Sequence, residues 1–139
     1  MNFVLDSSLA LSWCLDGEET RANQAVLATL TSATAIVPTL WAWEVNNVLC
    51  LALKQKRISP ARRQRALSLL ASLPIEVDEF AHRRAAGETA ELAIKHGLTV
   101  YDAAYLEMAL RLRLPLGSLD AQLRTAASKS GVRCLPDTR

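Results

Sequence analysis

Asn2-Phe3-Val4-Leu5-Asp6 is the stretch from which the rest of the chain is read. Phe3, Val4 and Leu5 form an unbroken apolar run, which suits a strand buried on both faces better than one alternating between core and water. The run ends on a carboxylate, Asp6. Ser7 and Ser8 then offer helix-capping chemistry, and Leu9, Leu11, Trp13 and Leu15 begin a helix. A strand that hands over to a helix at an acidic residue places that acid at its carboxyl end. In open α/β sheets this edge is where ligands bind. The question that follows is which other carboxylates the chain delivers to the same edge.

The bulk properties narrow the frame. A chain of 139 residues is one domain, long enough for a sheet covered by helices and too short for two cores. We read residues 1–135 as that domain and Pro136-Asp137-Thr138-Arg139 as a loose tail. No stretch is apolar and charge-free for long enough to cross a membrane, and the first residues lack the basic flank and long apolar core of a secretion signal. The charge is +2, from 16 basic and 14 acidic residues, and by itself argues for no partner. Cys14, Cys50 and Cys134 are odd in number and lack zinc-ligand spacing, so they read as reduced core thiols of a cytoplasmic protein.

Further elements follow in turn. Asp16 or Thr20 caps a second helix carrying Ala25, Val26 and Leu30. Ala35-Ile36-Val37 is a second strand, stopped by Pro38. Leu40 to Lys54 is a helix with Leu40, Val45, Val48, Leu49, Ala52 and Leu53 on one face. Ser59-Pro60 starts another, in the favoured order of cap then proline. Pro74 to Val77 alternates as an edge strand. His82 to His96 reads as one helix closed by Gly97, and Thr99 caps a helix from Val100 to Arg113. Leu114 to Leu119 is a strand and turn ending at Asp120. Ala121 to Ser130 is a last helix closed by Gly131, and Val132 to Leu135 a last strand. Strands alternating with helices predict a three-layer α/β fold, a short parallel sheet between helices.

Three acids have a sufficient structural explanation when taken singly. Asp6 and Asp120 stand where helix caps belong, and Asp102 lies in the first turn of a helix, where the dipole favours a negative charge. Glu44 differs. Leu40 and Val48 lie four residues to either side, so it shares the stripe facing the core, with Trp41 and Trp43 beside it and no basic partner within two turns. An ionised carboxylate there is costly unless paired or bound to metal. Taken together, the four can meet at one edge of the sheet. At ~4 Å and an effective dielectric of ~20, each close pair of carboxylates costs about 4 kcal/mol. Such a group persists by taking up protons or by holding a hard divalent cation. Mg²⁺ and Mn²⁺ favour oxygen ligands and keep bound waters, the resource needed to hydrolyse a phosphodiester.

The same residues carry a family likeness. Phe3-Val4-Leu5-Asp6-Ser7-Ser8 and Trp41-Ala42-Trp43-Glu44-Val45-Asn46-Asn47-Val48-Leu49 resemble the first two acidic motifs of PIN-domain ribonucleases. Leu98-Thr99-Val100-Tyr101-Asp102-Ala103-Ala104-Tyr105-Leu106 resembles the third, and Leu116-Gly117-Ser118-Leu119-Asp120-Ala121-Gln122-Leu123 the fourth. Size and element order resemble the VapC toxins of VapBC toxin–antitoxin pairs. The resemblance implies a Mg²⁺- or Mn²⁺-dependent endoribonuclease with Asp6, Glu44, Asp102 and Asp120 around the metal. It further implies Ser8, Asn47 and Ser118 in support of the acids, an RNA substrate, a homodimer, and a VapB-like antitoxin that blocks the acidic pocket.

RNA requires a counter-charged surface. Lys54, Lys56, Arg57 and Arg62, with Arg63 and Arg65, surround the turn between two helices and are the candidate contact for RNA or a partner. Arg83, Arg84, Arg111 and Arg113 form smaller groups that read as solvated helix faces. His82 and His96 are not spaced as metal ligands. Trp13, Trp41 and Trp43 read as core and interface packing. Two rival readings are a receiver-like phosphoacceptor domain and a non-catalytic scaffold. The first wants clustered acids after strand one and a late lysine, and Asp6 is instead followed by two serines. The complete set of four acids speaks against the second.

Overall fold

The opening apolar run becomes the middle of a parallel sheet. In this computed structural model, which describes residues 1–137, Phe3–Leu5 forms strand β1 with all three residues fully buried. The other strands are β2 (Ala35–Pro38), β3 (Ile75–Asp78), β4 (Leu116–Gly117) and β5 (Cys134–Leu135). They lie in the order β3-β2-β1-β4-β5, every neighbouring pair parallel. From β1 the chain moves outward to β2 and β3, then returns to add β4 and β5 on the other side. The strand order therefore reverses between β1 and β4, and the carboxyl ends of these two strands flank the crevice that such a reversal opens.

Among the described residues seven α-helices cover the sheet: α1 (Ser7–Ser12), α2 (Arg21–Thr29), α3 (Leu40–Lys54), α4 (Pro60–Ser72), α5 (Ala90–His96), α6 (Val100–Leu112) and α7 (Ala121–Lys129). Successive side chains of β1 point to opposite faces and define two cores. Phe3 and Leu5 pack with Leu9, Val26, Val45, Leu49 and Leu70 from α1 to α4. Val4 packs with Ala93, Tyr105, Leu106 and Leu123 from α5 to α7. The result is the expected α/β arrangement of three layers. Helix starts follow the local chemistry: Thr20, Ser59 and Thr99 each accept a backbone N–H three residues on, at 3.1, 3.0 and 3.0 Å, each cap contributing about 1 kcal/mol.

Several expectations are corrected. The segment read as one helix from His82 to His96 is a 3₁₀ turn (Ala81–Arg84), a wide turn (Ala85–Thr89) and then α5. Gly87 has a non-helical backbone (φ −104°, ψ −107°), and glycine is a poor helix former that lets the chain turn there. On α3 the buried stripe is Val45, Leu49 and Ala52, with Trp41 packed against both cores. Val48 faces outward, and Trp43 is 78% exposed rather than packed beside Glu44. Cys14 is a core thiol, but Cys50 is exposed and Cys134 half-buried. The residues read as a loose tail divide: Pro136 is buried and Asp137 pairs with Arg133 at 2.9 Å, whereas Thr138 and Arg139 lie outside the described residues.

Arg84 and Arg111 are not simply solvated. Glu107, 3% exposed, is ion-paired with Arg84 (Nε at 2.8 Å) and accepts a hydrogen bond from Arg111 Nε at 2.7 Å, and Arg111 also pairs with Asp78 at the end of β3. This network ties α6 to the 3₁₀ turn and to the outer edge of the sheet. A buried acid is tolerated there because two guanidinium groups neutralise it.

Candidate functional site

Asp6 follows β1 directly, and its backbone N–H donates to Gly117 O of β4 at 2.9 Å. It occupies the N-cap position of α1, yet its side chain makes no capping bond. Instead Ser8 Oγ and Ser118 Oγ both donate to Asp6 Oδ2, each at 2.7 Å, and Ser7 Oγ reaches Oδ1 at 3.4 Å. An ionised carboxylate only accepts, so both short bonds run from hydroxyl to Asp6. Ser8 Oγ already accepts from Leu119 N at 2.9 Å and Ser118 Oγ from Asp120 N at 3.1 Å, so each hydroxyl proton is left for Asp6. Two hydroxyls thus relay the β4–α7 loop to a carboxylate that is only 4% exposed.

The other acids come from three separate segments. Glu44 sits at the start of α3, and the hydroxyl of fully buried Tyr105 donates to its Oε1 at 2.5 Å. Asp102 lies in the first turn of α6, one turn before Tyr105. Asp120 caps α7, its Oδ1 accepting Leu123 N at 2.9 Å, which leaves Oδ2 for other work. The capping explanation therefore holds for one oxygen of Asp120 and fails for Asp6.

The four acids feel one another. Burial pushes the Asp6 carboxyl above its usual range; the Ser8 and Ser118 hydroxyls oppose the shift and the Asp120 charge adds to it. Burial likewise raises Glu44, with Tyr105 opposing and the Asp6 and Asp102 charges adding. Asp102 is raised by burial and then by Asp120 and Asp6. Among the described residues no ion pair reaches any of the four. Nor do three carboxylate, imidazole or thiol groups stand together as a ready metal cage among those residues. In kind, however, the donors suit a hard divalent cation: all are oxygens, and no basic side chain balances them.

Of the supporting residues, the structure joins Ser8 and Ser118 to Asp6, while Asn47 is exposed and makes no hydrogen bond to the acids. Lys54, Lys56 and Arg57 are exposed at the far end of α3, ten residues beyond Glu44 and hence ~15 Å along the helix. Arg62 is held by Asp16 at 2.7 Å. Two functional side chains escaped the reading from sequence. Tyr105 had a signal, since it lies three residues after Asp102 on the same helical face. Arg124 had none: it donates to Ser118 O at 2.9 Å, Leu135 O at 3.2 Å and Pro136 O at 2.8 Å, fastening the loop that carries Ser118 and Asp120.

Comparison with known proteins agrees with the fold. Residues 3–129 match the PIN domain. No curated protein sequence matches the chain. Among solved structures, the fold resembles PAE2754 from Pyrobaculum aerophilum, with 21% identity over 91% of this chain and 79% of that one, at a TM-score of 0.67. It also resembles VapC20 of Mycobacterium tuberculosis, described as a toxin that cleaves the sarcin-ricin loop, with 13% identity over 99% and 98% of the two chains and a TM-score of 0.67. VapBC2 from Rickettsia felis, solved on a DNA fragment from its promoter, is similar at 14% identity over 91% and 93%, with a TM-score of 0.63.

Proposed function

The chain belongs to the PIN domain family, and from that premise we propose that it is a Mg²⁺- or Mn²⁺-dependent endoribonuclease, the toxin of a VapBC-type pair. The observation that carries the reading is that Asp6, Glu44, Asp102 and Asp120, each from a different segment, are electrostatically coupled near the strand-order reversal, with none ion-paired among the described residues.

A divalent cation held by these acids would supply positive charge at the scissile phosphate and acidify the attacking water. The residues present fit the remaining tasks. Asp6, gripped by Ser8 and Ser118, presents a fixed and ionisable oxygen pair. Tyr105 orients Glu44 without neutralising it, since burial and the Glu44 charge hold the phenol firmly protonated. Asp102, in the first turn of α6, would hold the cation from a third segment. Asp120 Oδ2, which takes no part in the cap of α7, would complete the set. Attack by water on phosphorus, with the P–O3′ bond breaking and the leaving 3′ oxygen taking up a proton, would give a 5′-phosphate and a 3′-hydroxyl independently of the RNA 2′-hydroxyl.

Partners follow from the same reading. The outward face of α3 carries Trp43, Val48 and Leu51, a surface suited to a second copy of the chain or to an antitoxin. No helix among the described residues is long and apolar enough to cross a membrane, and the cytoplasm, where RNA is available, is the proposed location. The deciding experiment incubates the purified chain with RNA in Mg²⁺, with and without EDTA, and sequences the new 5′ ends. Cleavage that EDTA abolishes and the neighbouring reading frame's product inhibits supports the proposal. Intact RNA from a folded chain in Mg²⁺ and in Mn²⁺ rejects it.

A further inference from the structure

An acidic crevice repels the polyanion it is meant to cut, so a basic track has to bring the strand in. The basic turn singled out in the sequence stands at the far end of α3, about 15 Å along the helix from Glu44. A different surface opens beside the acids. Between α5 and α7 runs a groove of about 490 Å³, lined by Gln122, Thr125 and Lys129 on α7 and by Lys95 and His96 on α5. Both walls lead into the site. The α7 wall begins one residue after Asp120, and the α5 wall continues through Gly97 and Thr99 to Asp102.

The lining residues at positions 121, 122, 125, 126 and 129 form one face of α7, so the groove follows that helix for its whole length, ~13 Å. Its near end offers the amide of Gln122 and the hydroxyl of Thr125. Its far end is cationic, with Lys95 and Lys129 exposed and His96 half-buried against Ser130 Oγ at 3.3 Å. Among the described residues neither lysine pairs with a carboxylate, which distinguishes them from Arg62, Arg84 and Arg111.

We propose that the groove between α5 and α7 is the track on which single-stranded RNA lies as it enters the acidic site, with Lys95 and Lys129 contacting backbone phosphates. The inference rests on the ribonuclease reading above and adds the route of the substrate. The experiment measures binding apart from cleavage. In the Asp6→Asn background, fluorescence anisotropy follows a short fluorescein-labelled single-stranded RNA of mixed sequence over a range of salt. The double change Lys95→Ala and Lys129→Ala is expected to weaken binding roughly tenfold and to lower the slope of log affinity against log salt by about 1.4, the loss of two phosphate contacts. Arginine at both positions restores affinity, and Lys54→Ala with Lys56→Ala leaves it unchanged. Circular dichroism checks that each variant folds. Unaltered binding by the Lys95/Lys129 variant overturns the track, as does a larger loss from the Lys54/Lys56 variant. A parent chain that cleaves RNA while these variants bind normally defeats only this inference; a parent that never cleaves defeats the reading beneath it.

Discussion

Replacing Asp6 by asparagine should abolish cleavage and at the same time make the metal-free protein more stable. The side chain is 4% exposed and accepts Ser8 Oγ and Ser118 Oγ at 2.7 Å each. Hydrogen bonds to a charged group are worth ~1.5–3 kcal/mol and neutral ones ~0.5–1.5, so two weakened bonds lose about 2 kcal/mol. Against this, unit charges ~8 Å apart repel by about 2 kcal/mol at an effective dielectric of ~20. Asp6 is coupled electrostatically to Asp120, Glu44 and Asp102. Asparagine removes all three repulsions and the cost of burying the charge, while its oxygen still serves the two hydroxyls. Allowing for water around half-buried Glu44 and Asp102, the net gain is about 1–3 kcal/mol. For a domain of this size that is a rise in Tm of roughly 4–12 °C. The assay is thermal unfolding in EDTA and across a Mg²⁺ titration. The parent should gain stability with Mg²⁺ and the variant little or none. A variant less stable than the parent in EDTA, or equal Mg²⁺ stabilisation of both, would refute the reasoning.

Further predictions rest on other contacts. Tyr105→Phe removes only the hydroxyl on Glu44 Oε1; it should lower stability by about 1–2 kcal/mol in urea and raise the Mg²⁺ needed for half-maximal stabilisation, and unchanged values in both measurements would contradict the positioning role. Gly117→Ala would place a Cβ 2.9 Å from Leu9 Cδ2 and 3.2 Å from Phe3 Cδ2; such overpacking costs about 1–3 kcal/mol and should lower the Tm, an expectation that an unaltered melting curve excludes. The pH dependence has a definite sign. Asp6, Glu44 and Asp102 are raised above their ordinary values of 3.8, 4.5 and 3.8, mainly by burial, so the folded chain binds protons more tightly than the unfolded one. These groups therefore make the metal-free protein lose stability as pH rises through their raised values and regain it on acidification toward the ordinary ones. Melting curves compared with those of the Asp6→Asn variant isolate this contribution, and a difference between the two that does not grow with pH would count against it.

Much of the fold was legible because local signals agree with the tertiary arrangement. The buried run Phe3–Leu5, the caps Thr20, Ser59 and Thr99, and the left-handed Gly97 at the end of α5 each act through neighbouring residues. The break at Gly87 was not legible, because glycine is also tolerated within helices and the geometry depends on Arg84 reaching Glu107 on α6. Trp43 misled for a similar reason: an apolar helix pattern does not say which face meets the sheet. The acids could be nominated from their places at element ends, but what holds them could not. Ser118 is 112 residues from Asp6 and Tyr105 is 61 from Glu44, so these bonds exist only once β4 lies beside β1 and α6 beneath the sheet. Arg62, read from the sequence as a candidate contact for RNA or a partner, pairs with Asp16 across the gap between α4 and the loop after α1.

The chain contains its own control for what a buried acid means. Glu107 and Asp6 are almost equally hidden, at 3% and 4% exposure. Glu107 is met by two guanidinium groups, an arrangement that cancels the charge and fixes the packing of α6. Asp6 is met by hydroxyls alone, which hold a carboxylate in place but leave its charge standing. Glu44 is treated in the same manner by Tyr105. Had the acids at the strand reversal served only to join elements, arginine would have done the task at lower electrostatic cost, as it does a few residues further along α6. Orienting several acids with no guanidinium among them leaves protons or an external cation to offset their charge, and the second outcome is the one on which the proposed nuclease chemistry rests.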